Sequence, residues 1–503
     1  MEKKCVEYES TRSNNIKVAP SNALLNGLSV DGGLFVMRDI NELSIDINTL
    51  VGKNYYEIAK NILRMFLDFT DEEVEECVEK AYRDKFSSVK VAPVIKLNDG
   101  YILELFNGPT SAFKDFGLLM LPQLITKALE KTRIEDDILI LTATSGDTGK
   151  AALEGFKNVD RTKIVVFYPH EKVSKVQELQ MVTQEGDNLG VVAIRGNFDD
   201  AQNGVKELFA DEDFKKSLKI QGLQLSSANS INVGRLIAQI VYYFAGYMQL
   251  VDSGDIKLGE KVNFVVPTGN FGNILAGYYG KLLGLPINKL VCASNSNNVL
   301  YDFITTGVYD KRREFLETIS PSMDILISSN LERLLYYVSD CDNDYVAQLM
   351  NTLKTEGFYK VNDNIFAKIK ENFLSGYASD IDTKEIINKV YESNNYLLDT
   401  HTGVAYKVLL ELLKNNKNQL GEYKNIVLST ASPYKFSKDV CGSFGDIANG
   451  ISEFIIMEKL SEMTETTIPD NLKGLDKKER LHKDVINKSE MKSYVLNVLK
   501  GLK

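Results

Sequence analysis

Between Val91 and Ser296, short runs of β-branched and apolar residues alternate with segments of helical period, and this alternation restricts the possible folds more than any other feature of the chain. Strands joined by helical crossovers pair in parallel, and a parallel sheet needs helices on both faces. The pattern predicts strands at Tyr101 to Phe106, Asp137 to Ala143, Lys163 to Tyr168, Gly190 to Arg195, Lys261 to Pro267 and Lys289 to Ser294, with a last one at Asn425 to Thr430 rejoining the sheet. The segments before Val91 and from Leu326 to Asn394 read as mainly helical additions. At 503 residues the chain exceeds one core. We expect an N-terminal domain over 1–90, an α/β region over 91–455 with large and small subdomains, the smaller at about 130–220, and a C-terminal helical segment over 456–503.

Several function classes are disfavoured at once. The stretch Val233 to Val251 is apolar enough to test as a membrane span, but Arg235, Gln239 and Gln249 interrupt it, so a buried helix is expected and no membrane partner. Met1 to Asn15 contains no apolar run resembling a secretory signal, so a cytoplasmic protein is expected. Cys5, Cys77, Cys292, Cys341 and Cys441 are scattered, as are His170, His401 and His482, so neither a disulfide framework nor a metal site is indicated. With 59 basic and 69 acidic residues the net charge is −10 and no basic run dominates, which argues against nucleic acid. Any bound anion must be held by local groups.

In open parallel sheets, ligands bind where loops leave the carboxyl ends of the strands. After the first strand, Asn107 to Asp115 turns tightly and sets Lys114 at the start of an apolar helix. The helix dipole disfavours a cation there, and Phe113 and Phe116 help to desolvate it, lowering its pKa from about 10.4 and suiting it to Schiff-base chemistry. The plain alternative is a lysine that snorkels to solvent or pairs with Asp115. Thr144, Ser145, Gly146, Asp147 and Thr148 form a hydroxyl-rich loop opening a helix and suited to an anion, or else a capped turn. It is not a nucleotide P-loop, because Thr144 and Ala151 stand where glycine and a hydroxyl are required.

Gly269, Asn270, Phe271, Gly272 and Asn273 open another helix, and several adjacent positions suited to positive φ make a phosphate cradle of this loop, with a structural turn as the alternative. Ser227, Asn229, Asn232 and Arg235 combine hydroxyl, amide and guanidinium donors, and spacings of three put the last three on one helix face, as a phosphate ester would need. Read alone, Arg235 is a surface salt-bridge residue rather than a ligand. Ser429 and Thr430 end the last strand, with Ser432-Pro433 closing the turn.

These sites, in this order, resemble the β-family, or fold type II, of pyridoxal-phosphate enzymes, and in particular the threonine synthases of bacteria and fungi. Tyr8 to Arg12, Asp31 to Leu34, Gly108 to Asp115, Thr144 to Gly149, Ser226 to Arg235, Thr268 to Asn273, Ser320 to Asp324 and Thr430 to Phe436 follow that family's motifs. The resemblance implies a threonine-synthase domain at the N terminus, pyridoxal 5'-phosphate held as a Schiff base on Lys114, its phosphate on Gly269 to Asn273, and its ring nitrogen on Thr430. A neutral hydroxyl at that nitrogen favours elimination and replacement over transamination.

The Thr144 to Thr148 loop would take the substrate carboxylate, and Ser227, Asn229, Asn232 and Arg235 the substrate phosphate. The implied reaction is that of a carbon–oxygen lyase acting on phosphates: O-phospho-L-homoserine and water give L-threonine and phosphate, the last step of threonine biosynthesis, in a monomer or homodimer. A dehydratase-like lyase of the same family and a non-catalytic paralogue are the alternatives. The chain departs from the family pattern at Ser13-Asn14-Asn15, where glycines are usual, and at Ser432, where histidine is usual.

Overall fold

The computed structural model describes residues 6–144, 146–415, 420–448 and 450–503. Strand Asp137–Ala143 illustrates how the sequence builds its sheets. Its residues alternate in direction, yet both sets are apolar: Ile138 and Ile140 join one buried cluster, while Leu139 and Leu141 join another on the opposite face. A strand buried on both sides belongs inside a parallel sheet. Its neighbours are Thr162–Pro169 and Leu223–Ser226, both parallel to it. The full five-stranded sheet runs Val485–Asn487, Leu189–Arg195, Thr162–Pro169, Asp137–Ala143, Leu223–Ser226.

A separate six-stranded sheet runs Phe373–Tyr377, Ile287–Ser294, Val262–Pro267, Lys424–Ser429, Gly100–Glu104, Val94–Leu97. All its pairs are parallel except the last, a hairpin in which Val94 lies opposite Leu103. The strand Lys424–Ser429 therefore enters the sheet between two early strands, with Val427 aligned to both Val265 and Ile102. The α/β, mainly parallel architecture is as expected from the sequence, and the strand at Asn425 to Thr430 does rejoin a sheet.

Three departures have physical reasons. The segment before Val91 is not only helical: Ser13–Val18, Tyr8–Ser10 and Phe35–Val36 form a small antiparallel sheet. Ser13–Val18 is polar and largely exposed, and Phe35–Val36 is two residues long, so neither leaves a period. The Leu326 to Asn394 segment contributes the edge strand Phe373–Tyr377 and half of a two-stranded ribbon. The 456–503 segment, expected to be helical, adds the strand Val485–Asn487 to the edge of the five-stranded sheet. Its last helix, Met491–Val498, then buries Met491 and Val495 under that sheet.

The helix Val233–Asp252 is buried along nearly its whole length, as expected of a core helix. No helix among the described residues is long and apolar enough to cross a membrane. It packs on the helix Lys114–Thr132, which in turn crosses the helix Asp147–Phe156. That second crossing is so close that a Cβ on Gly155 would lie 1.9 Å from the carbonyl oxygen of Leu118.

Alanine is normally the better helix former by about 0.5–1 kcal/mol. At this crossing it forces two backbones apart, and overpacking costs about 1–3 kcal/mol. Gly155→Ala is therefore expected to lower stability by about 2 kcal/mol in urea unfolding, against the sign that helix propensity alone gives.

Candidate active site

Two turns of the six-stranded sheet are stitched together before any side chain is considered. The Phe113 amide donates to the Thr430 carbonyl (2.9 Å), the Ser432 amide donates to the Ser111 carbonyl (3.0 Å), and Ala112 bridges to Ala431. Lys114 and Thr430, distant in sequence, thereby become neighbours.

Lys114 is the first residue of the helix Lys114–Thr132, with its side chain only 11% exposed. Its Nζ donates to Ser322 Oγ (3.1 Å), approaches Asp147 Oδ2 at 3.4 Å and lies 5.2 Å from the Phe113 ring centre. Burial is the leading influence on the amine and lowers its pKa; Asp147 opposes this, while Lys435 and Arg235 push it down further.

The alternative pairing with Asp115 does not form. Asp115 folds back to accept hydrogen bonds from the Thr110 amide (2.9 Å) and hydroxyl. Gly108 permits that fold-back, since a Cβ there would lie 2.4 Å from Asp115 Oδ2.

Asp147 opens the helix Asp147–Phe156 and reaches across to groups carried by the other sheet. Its carboxylate takes Lys435 Nζ at 2.7 Å, Gln177 Nε2 at 3.1 Å and the Ser322 hydroxyl at 3.3 Å. Burial opposes its charge, but Lys435 and then Lys114 outweigh burial and hold the carboxyl well below the ordinary range. A fixed anion cannot bind a substrate carboxylate, so this side chain serves the lysines. Thr144 likewise spends its hydroxyl on the loop itself, accepting from the Gly146 and Gly149 amides (2.9 Å each). Thr148 is half-buried beside them. Ser145 lies outside the described residues.

Ser322, which the sequence reading placed only within a motif, is the junction of the site. Its amide donates to His401 Nε2 (3.1 Å), and His401 Nδ1 lies 2.9 Å from Asp399 Oδ1. Because Nε2 accepts, Nδ1 carries the proton and donates to Asp399. The carbonyl of Ser322 also explains Gly269: a Cβ there would stand 2.8 Å from it. Gly269 thus serves close approach, a Cβ on Gly272 would meet only Asn330, with Nδ2 at 3.4 Å, and the positive φ of the 268–273 loop falls on Phe271 (φ 61°). Gly272 starts the next helix, Gly272–Leu282. The Asn270 carbonyl accepts from Asn330 (3.1 Å from the amide, 3.0 Å from Nδ2). Asn273 Oδ1 accepts from Tyr242 (2.6 Å) and Tyr243 (3.0 Å), while its Nδ2 is a buried donor without a partner at the amino end of that helix.

The expected shared face of Asn229, Asn232 and Arg235 does not exist, because the helix begins only at Val233. Asn232 caps it, accepting from the Gly234 amide and donating to the Leu24 and Ser227 carbonyls (3.0 Å each). Asn229 is exposed in the preceding turn, accepts from the Thr142 hydroxyl (3.3 Å), and donates its amide to Ser227 Oγ (3.2 Å).

Arg235 is neither exposed nor in an ion pair with any described residue. It is 5% exposed, its Nη1 donates to the Ala228 carbonyl (3.0 Å), and its Nε has no partner. Burial lowers its pKa to about 10. Gly117 lets the Lys114 helix approach it, since a Cβ there would be 3.1 Å from the Arg235 carbonyl. Sequence reasoning missed Ser322, Lys435, Gln177, His401 and Asp399 as participants; each is an ordinary polar residue until topology gathers them.

Comparison with known proteins places the chain in a family. The family model "Threonine synthase N terminus" matches residues 7–82 and "Pyridoxal-phosphate dependent enzyme" matches residues 93–430. A threonine synthase of Pseudomonas aeruginosa is 39% identical over 439 residues, covering 86% of this chain and 90% of the relative. The human protein "Threonine synthase-like 1" is also 39% identical, over 430 residues and 83% of this chain, but the match spans only 57% of that relative's length. The crystal structure of PLP-bound threonine synthase from Brucella melitensis superposes with a TM-score of 0.86 at 34% identity, covering 98% of this chain and 99% of that one.

The Asp115 carboxyl gives a test of the buried turn that positions Lys114. Burial raises its pKa from 3.8 to about 6, the Thr110 hydrogen bonds pulling the other way. The folded state therefore binds this proton more tightly than the unfolded state, so the contribution of Asp115 to stability is greatest below about pH 4 and is lost as pH rises through about 6, by about 3 kcal/mol. In urea unfolding across that interval, the stability of the wild type relative to Asp115→Asn should fall as pH rises, and an unchanging difference would contradict it.

Proposed function

The chain belongs to the threonine synthase family of pyridoxal-phosphate-dependent enzymes, and from that footing we propose that it is itself a threonine synthase, converting O-phospho-L-homoserine and water into L-threonine and phosphate as the last step of threonine biosynthesis. The residues present suit the cofactor: a desolvated lysine amine, an orphaned amide donor on Asn273 at a helix amino terminus, and a glycine at 269 where no side chain fits. Lys114 would carry it, Gly269, Asn270, Phe271, Gly272 and Asn273 its phosphate, and Thr430 its ring nitrogen. When bound, pyridoxal 5'-phosphate supplies an electron sink conjugated to the substrate α-carbon.

The protein's own groups account for the rest. The Lys114 amine sits between Ser322 and Asp147 and would move protons at the α- and β-carbons, for which a lowered pKa suits it. Asp147 cannot accept the substrate carboxylate, which leaves that task to Thr148, Ser145 and the amides of the loop. The observation that carries the substrate assignment is Arg235. A buried guanidinium with no counter-ion and an unpaired Nε among the described residues is costly unless an anion completes it. The phosphate ester of the substrate is that anion in our reading, with Ser227 and Asn229 at its rim and Asn232 holding the turn. We read the enzyme as cytoplasmic, acting on a small molecule, as a monomer or homodimer.

The purified chain with pyridoxal phosphate should release phosphate and threonine from O-phospho-L-homoserine in equal amounts; phosphate accompanied by a keto acid instead of threonine would make it a dehydratase-like lyase. Arg235→Ala should lose about 2 to 4 kcal/mol of transition-state stabilisation, or about 30- to 1000-fold in kcat/KM, with cofactor affinity nearly unchanged. An unimpaired kcat/KM would remove Arg235 from the site.

A further inference from the structure

Lys435 is the feature of the site that the proposed reaction does not use. It lies in the turn Pro433–Phe436, its side chain is wholly buried, and it makes two contacts: Nζ donates to the Thr110 carbonyl (3.0 Å) and pairs with Asp147 Oδ1 at 2.7 Å. Asp147 is thus one carboxylate shared by two buried ammonium groups at unequal distances, 2.7 Å to Lys435 and 3.4 Å to Lys114. Gln177, from the Asp147 side of the cleft, donates to the oxygen that Lys435 uses and helps to hold the carboxylate in that orientation (3.1 Å).

We propose that Lys435 is a positioning residue for Lys114: by engaging the Asp147 carboxylate in a short buried pair, it keeps that carboxylate from closing onto the Lys114 amine and leaves the amine free to act as a nucleophile. The proposal rests on the reading of Lys114 as the cofactor lysine. The groups facing Lys114 are few. Asp147 comes from the start of the helix Asp147–Phe156, Lys435 from the turn after the last strand of the six-stranded sheet, Arg235 from the long buried helix and the Ser322 hydroxyl from the 320–324 turn, while Asp115 is turned away to Thr110. Among them Asp147 is the anion and Lys435 and Arg235 are the cations. A protonated amine is not nucleophilic, so the balance between one carboxylate and two cations decides how much of Lys114 is reactive at neutral pH. Removing Lys435 deletes a like charge and frees the carboxylate; both changes favour the protonated amine. Removing Asp147 does the reverse.

Competitive acetylation tests this in the full chain freed of cofactor by hydroxylamine. Limiting acetic anhydride is applied at a series of pH values, and peptide mass mapping reads the titration midpoint of Lys114 itself. The readout depends on the amine and not on cofactor binding or turnover, so it fails or succeeds separately from the proposed function. In Lys435→Met the midpoint should rise by about one pH unit, reducing Lys114 acetylation about tenfold below the midpoint. Lys435→Arg should restore most of the wild-type value, and Asp147→Asn should shift the midpoint the other way. An unchanged or lowered midpoint in folded Lys435→Met overturns the proposal. Should that variant not fold, Asp147→Asn decides: a fall supports the shared carboxylate, and no fall overturns it.

Discussion

The Asp147 carboxylate is the constraint on which the site depends. It is carried by a helix of the five-stranded side and neutralised by lysines carried on the six-stranded side, so the two sheets meet through a buried charge rather than through apolar packing alone. Charge at 4% exposure is tolerated only when fully engaged, and here four partners engage it: Lys435, Lys114, Gln177 and Ser322. The arrangement makes the cleft specific in geometry, because displacing any partner leaves a charge unpaired in a medium that penalises it.

The same penalty is met unequally at two other buried charges. Arg235 and Arg333 are both buried cations, but their settings differ. Arg333 donates to the Phe35 carbonyl (3.0 Å), the Ile231 carbonyl (2.6 Å) and Asn330 Oδ1 (2.5 Å), tying the N-terminal sheet to the turn before the long buried helix and to the partner of Asn270. Its donors are occupied in holding the framework. Arg235 has one described acceptor and an unpaired Nε. The first arginine is part of the framework; the second keeps an unspent donor, which is what the proposed phosphate site draws on.

The fold was legible where burial imposes a period. Asp137–Ala143 is found where its sequence predicts it, and the other central parallel strands differ by one or two residues at their ends. Short, polar or edge strands such as Ser13–Val18 and Val485–Asn487 escaped because only pairing partners make them strands. Within the site, Lys114 was legible because its signal is local: a lysine at the start of an apolar helix. Lys435, Ser322 and His401 were not, because their roles are created by contacts between distant segments. The helix-face reading of Asn229, Asn232 and Arg235 failed for a local reason, since Asn232 is a better cap than helix residue and moves the start of the helix to Val233.

The central claim is that Lys114 is the residue that carries the cofactor, and borohydride reduction of the purified protein with pyridoxal phosphate, followed by peptide mapping, tests it most directly. The pyridoxyl label should fall on Lys114, with no label at that peptide in Lys114→Ala protein that retains its fold. Label on another lysine, Lys435 and Lys150 included, or none at all, would contradict it.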